Sequence, residues 1–71
     1  MNARLAVEAN KNIVTELLDS SKEMAARLGI TVDEAIDKKI AFYTKRAKNE
    51  TEASAWELRG DEAKKLNLQK L

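Results

Sequence analysis

Residues 22–48 read KEMAARLGITVDEAIDKKIAFYTKRAK, and this stretch decides the fold. Met24, Ala25, Ala26, Arg27 and Leu28 end a helical pattern at Gly29, the residue that takes the left-handed conformation without a Cβ penalty. Ile30 follows, and then Thr31-Val32-Asp33-Glu34 has the Thr-x-x-Glu form of a capping box. The next helix, predicted over residues 31–48, places Val32, Ile36, Ile40, Tyr43 and Ala47 on one apolar face, with Ala35 and Phe42 widening it. Helix, glycine stop and capped helix is the frame to which the rest of the chain attaches.

Outward toward the N-terminus, Ile13, Val14, Leu17, Leu18, Met24, Ala25 and Leu28 form an apolar stripe at helical spacing, with Asn10 as an N-cap candidate. Ser20-Ser21-Lys22-Glu23 is a second capping-box pattern, yet the stripe runs across it, so the helix is expected to continue with both serines near its solvent edge. Residues 3–9 admit two readings. Ala3, Leu5, Val7 and Ala9 alternate with Arg4, Ala6 and Glu8, the period of a half-buried strand. Leu5, Ala9, Ile13, Leu17 and Ser21 are also spaced by four, and Leu, Ala and Glu favour helix. Toward the C-terminus, Asn49 reads as the cap of a third segment with Glu52 three residues on. Gly60 reads as its stop, and Asp61 as the cap of a last turn through Leu66 and Leu68. Residues 49–71 therefore read as a helical tail, available to a partner, on a domain of residues 1–48.

The chain has 71 residues, no Pro, no Cys, no His and a net charge of +1. One small domain of this length buries a core worth roughly 3–5 kcal/mol, and comparable domains are stapled by disulfides, metals or a partner chain. Without Cys or His the first two staples are excluded, which leaves association; a homodimer or a tight complex is expected. The same absences remove the usual nucleophile and general base, and there is no glycine-rich phosphate loop, so no catalytic residue, cofactor or metal ligand is assigned. No apolar run approaches the roughly 20 residues of a membrane span, and no signal-peptide core precedes the helices, which points to a cytoplasmic protein.

Charge is uneven along the chain. Residues 31–48 carry Lys38, Lys39, Lys45, Arg46 and Lys48 against Asp33, Glu34 and Asp37, while residues 49–62 carry five acids against Arg59. Acids early and bases late suit the dipole of the second helix. Lys38 and Lys45, and Lys39 and Arg46, share faces seven residues apart, where phosphate contact and plain solvation are both open. Trp56 in the tail reads as an interface anchor or as packing on the second helix. Phe42 is the aromatic best placed to meet a second surface, with Leu58 beside Trp56 in sequence.

The run from Met24 to Ile36, continuing to Ile40 and Tyr43, resembles the second half of the ribbon-helix-helix domains of the CopG/Arc superfamily, which includes RelB- and DinJ-type antitoxins. The resemblance implies an intertwined homodimer. Residues 3–9 of two chains would pair as a ribbon in the DNA major groove, with Leu5, Val7 and Ala9 inward and Arg4, Ala6 and Glu8 outward. Arg4 would read a guanine edge with Asn2 assisting. The start of the second helix, at Thr31 and Val32, would hold a phosphate. Phe42, Trp56 and Leu58 would face a protein partner such as a toxin. The chain departs from the family in its longer first helix and in Glu8, a carboxylate at a groove-facing position. A helix-turn-helix would present Asp33, Glu34 and Asp37 to phosphates and is disfavoured.

The expected fold is thus mainly α: a ribbon-helix-helix-like homodimer with a helical tail or, alternatively, an all-α hairpin or three-helix bundle in which residues 2–28 form one helix. The expected function is a small DNA-binding repressor or antitoxin or, alternatively, a helical adaptor or inhibitor whose target is a protein.

Overall fold

A computed structural model describes the backbone of residues 3–69 and the side chains of residues 12–69. It contains three helices, α1 (Ala3–Leu28), α2 (Val32–Arg46) and α3 (Glu50–Gln69), each packed against the other two. Among the described residues there is no strand. The ribbon expected at residues 3–9 is instead the opening of α1. Good helix formers hold that segment in helix, and Val7 is its single β-branched residue. Asn10 is an interior helical position, not a cap. The apolar spacing runs through it, and one Asn in a helix costs only about 0.7 kcal/mol at most.

Gly29 ends α1 at φ 70°. Its N–H and that of Ile30 both donate to the Ala25 carbonyl, at 2.8 and 3.1 Å, which satisfies the last turn as a Schellman motif does. Thr31 then caps α2: its hydroxyl oxygen accepts from the Glu34 N–H at 3.1 Å, and its hydroxyl lies 3.3 Å from the Glu34 carboxylate. Helix α2 ends at Arg46, with Ala47 as its C-cap. The Lys48 N–H donates to the Glu52 carboxylate at 2.6 Å, while the Asn49 side-chain oxygen accepts from the Glu52 N–H at 2.9 Å. That pair starts α3 as the sequence predicts.

The core is drawn from all three helices. Val14, Leu17 and Leu18 come from α1, Ile36 from α2 and Ala63 from α3, with Val32, Ile40, Tyr43 and Leu66 packed around them. Two expectations fail here. Gly60 does not stop the third helix, and α3 runs unbroken past it to Gln69. The reason is tertiary: the side chains of Ile36 and Ile40 lie against the Gly60 backbone, so glycine permits a close approach of α2 and α3. Ser21 is not at the solvent edge but fully buried, whereas Ser20 is half-buried and donates to the Leu17 carbonyl at 3.2 Å.

At about 1.5 Å per residue α1 is near 39 Å long and α2 near 22 Å, so α1 sets the 42 Å length of the molecule. None of the described helices is long and apolar enough to cross a membrane.

Candidate functional site

Helical periodicity gathers the cations of α2 around one aromatic. Lys38, Lys39, Phe42, Lys45 and Arg46 fall within about a third of the helix circumference, with Phe42 in the middle. Phe42 is 51% exposed although its neighbour Tyr43 packs on the core. Among the described residues none of these four cations has a carboxylate in ion-pair range; the ion pair present joins Lys64 Nζ to Asp37 at 2.7 Å.

The aromatic residues form a connected row across α2 and α3. The Phe42 and Tyr43 rings meet edge-to-face with centroids 5.6 Å apart. Tyr43 stacks on Trp56 at 4.2 Å and 15°. Guanidinium groups close both ends: Arg46 lies 4.0 Å from the Phe42 centroid and Arg59 4.6 Å from that of Trp56. Each is a cation–π contact set by local spacing, i to i+4 at Phe42 and i to i+3 at Trp56. With Tyr43 on one face of the indole, the Arg59 guanidinium must take the other.

Two open grooves lie among the described residues, the first of them bordering this row. One, of about 210 Å³, is lined by Ile13, Glu16, Leu17, Ser20, Tyr43 and Trp56, and so runs between α1 and the aromatic row. The other, of about 360 Å³, is lined by Asp37, Ile40, Glu57, Gly60, Asp61 and Lys64. In it the Lys64 ammonium is held above the usual lysine range, chiefly by its hydrogen bond to Asp37, against a smaller opposing effect of desolvation. No group of three or more acidic side chains among the described residues is arranged to hold a metal ion.

Of the residues singled out for DNA, Asn2 lies outside the described residues. Arg4, Ala6 and Glu8 lie on the helical backbone of α1, and their side chains are outside those described. Without a ribbon, alternation of inward and outward side chains does not apply to them. The Thr31 hydroxyl is engaged in capping, Val32 packs on the core, and the exposed Asp33 and Glu34 share the first turn of α2, where a phosphate would meet two negative charges.

Of the residues singled out for a protein partner, Phe42 and Trp56 are joined through Tyr43. Leu58, 62% exposed, lies two residues from Trp56, which on a helix is more than half a turn away, so it belongs to another side of α3. Sequence reasoning missed Arg46 and Arg59 as partners of the aromatics, although the Phe42–Arg46 and Trp56–Arg59 spacings were legible. It also missed Ile13 and Glu16 as walls of a groove, which only the packing of α1 beside Tyr43 reveals. The chain matches no protein-family model, no curated protein and no solved structure.

Proposed function

We propose that this chain is a non-enzymatic helical module that binds another protein through the face built around Phe42, Tyr43 and Trp56. The observation that carries this reading is Phe42 itself, a half-exposed aromatic at the centre of four cations without carboxylate partners among the described residues. Aromatic and Arg side chains are the groups enriched in protein interfaces and their hot spots. A chain without His or Cys, whose described grooves are open, offers little to a reacting centre, which supports a binding role over catalysis.

A second reading, the DNA-binding repressor or antitoxin, draws support from one observation: the stripe of Lys38, Lys39, Lys45 and Arg46 could follow a phosphate backbone. The aromatics do not add to it. Arg46 covers Phe42, and Trp56 is covered by Tyr43 and Arg59, which leaves no free indole face for a base.

A photo-crosslinking residue in place of Phe42, activated in cells, tests the first reading, and salt-titrated retention of duplex DNA from upstream of the coding sequence tests the second. Protein adducts with weak, sequence-indifferent DNA binding support the protein module. Tight sequence-selective DNA binding without protein adducts moves the function to DNA.

A further inference from the structure

Phe42 touches Tyr43, and the Tyr43 ring is in turn a wall of an open groove. The groove lined by Ile13, Glu16, Leu17, Ser20, Tyr43 and Trp56 measures about 210 Å³. The groove is open and mixed in lining, with Glu16 and Ser20 beside Ile13, Leu17, Tyr43 and Trp56, and its volume exceeds the roughly 150 Å³ that holds benzene in an enclosed apolar cavity. Phe42 does not enter the groove of its own chain. Its ring stands edge-on to Tyr43, whose own ring is one wall of the groove. Projection and receptacle therefore sit side by side.

We propose that the protein bound at this face is a second copy of the chain, each copy seating Phe42 in the groove of the other. This inference rests on the reading of the face as a protein-binding one. Adjacency is what selects a second copy. A two-fold axis passing beside Tyr43 fills both grooves with both rings at once, as an isologous interface requires.

Charge agrees with this arrangement. Arg46 lies over the Phe42 ring at 4.0 Å and travels with it, and Glu16 lines the receiving groove. Seating the ring brings Arg46 to the partner's Glu16, twice per dimer. Neither residue has an ion-pair partner within the described part of its own chain. Beyond Glu16, Asp19 and Glu23 continue an exposed acidic stripe along α1, and Lys38 and Lys45 continue the basic one along α2. Glu16 to Glu23 and Lys38 to Lys45 each span about 10.5 Å, and Arg46 extends the basic stripe by one residue, so the two are similar in length. A reason for association exists apart from the face: the chain is short and has no Cys or His, which leaves association with another chain as its staple.

Sedimentation equilibrium of the full chain, with helicity followed by circular dichroism, tests the proposal. The chain is expected to dimerise. Phe42→Ala is expected to weaken the dimer by at least about 30-fold, the scale of an interface hot spot, with helicity unchanged because Phe42 is outside the core. Glu16→Arg and Arg46→Glu, both at exposed positions, should each fail to dimerise alone, since each sets like charges together. Mixed in equal amounts they should form a heterodimer with both contacts restored. A chain that stays monomeric, a Phe42→Ala variant that dimerises like the parent, or a mixture without heterodimer would overturn the proposal. If the parent is monomeric while the crosslinker at position 42 captures a different protein, the second copy is wrong and the protein-binding reading stands. If position 42 captures no protein at all, both fall.

Discussion

Gly60 and Ile40 approach so closely that a Cβ at position 60 would stand 2.6 Å from Cγ1 of Ile40 and 3.2 Å from its Cδ1. Cγ1 is bonded directly to the branched Cβ and moves only if χ1 turns, which a helix strongly restricts for Ile. Gly60→Ala therefore sets two effects against each other. Alanine favours helix over glycine by about 1 kcal/mol, while overpacking costs about 1–3 kcal/mol. Overpacking should win, with a net loss of about 1 kcal/mol in urea unfolding. In an Ile40→Ala background the obstruction is gone, and the same change should become stabilising. A loss of equal size in both backgrounds would mean that Ile40 is not what makes glycine necessary.

This position also shows what was legible in the sequence. Gly29 and Thr31 were read correctly because their roles are local: a positive φ after Leu28 and a hydroxyl three residues before Glu34 involve only near neighbours. Gly60 carries the same letter as Gly29 but answers to Ile36 and Ile40 across the bundle, which local pattern does not report. Ser21 was misplaced for the same reason, since its full burial is a tertiary fact that its neighbours in sequence do not report. Residues 3–9 satisfied both a two-residue and a four-residue period, and helix propensity, with continuity into the stripe from Ile13 to Leu28, decided for α1. At the candidate site Phe42 and Trp56 stood out as aromatics, but their connection through Tyr43 and the groove beside it are tertiary facts.

Ser21 yields a prediction of opposite sign. Its side chain is fully buried, and its Oγ has no hydrogen-bond partner among the described residues. A buried unsatisfied hydroxyl costs about 1–3 kcal/mol, and removing one oxygen leaves only a small void. Ser21→Ala should raise the urea midpoint by the equivalent of up to about 1 kcal/mol, helped by the better helix propensity of alanine. An unchanged or lowered midpoint would show that the hydroxyl is satisfied after all.

The stack of Tyr43 on Trp56 ties α2 to α3 and should behave as a coupled pair. In a double-mutant cycle with Tyr43→Leu and Trp56→Leu, the coupling energy should be about 0.5–1.5 kcal/mol, the range for aromatic pairs beyond the area they bury. Trp56 is the only Trp, so its fluorescence reports this contact directly. Tyr43→Leu should shift the emission maximum of the native protein by exposing the indole. Additive losses with unaltered emission would deny the stack a role in holding α3.

Lys64 and Asp37 join α3 to α2 with a pH dependence whose direction is set by the lysine. The folded chain holds the Lys64 proton more tightly than the unfolded chain does, chiefly through the hydrogen bond to Asp37. The contribution to stability is therefore whole below the usual lysine pKa of about 10.4 and is lost as pH rises through the higher folded value. Its size is small, because the Asp37 side chain is 66% exposed and water screens the pair; exposed pairs contribute about 0.2–1 kcal/mol. Lys64→Met should be slightly less stable than the parent at pH 8. The gap should narrow as pH rises beyond the usual lysine range, and also in about 1 M salt, where the screening length falls to about 3 Å. Urea unfolding of both proteins across that range measures the gap directly. A gap that stays constant through the alkaline range would assign the effect of Lys64 to the packing of its methylenes on α2 and not to its charge.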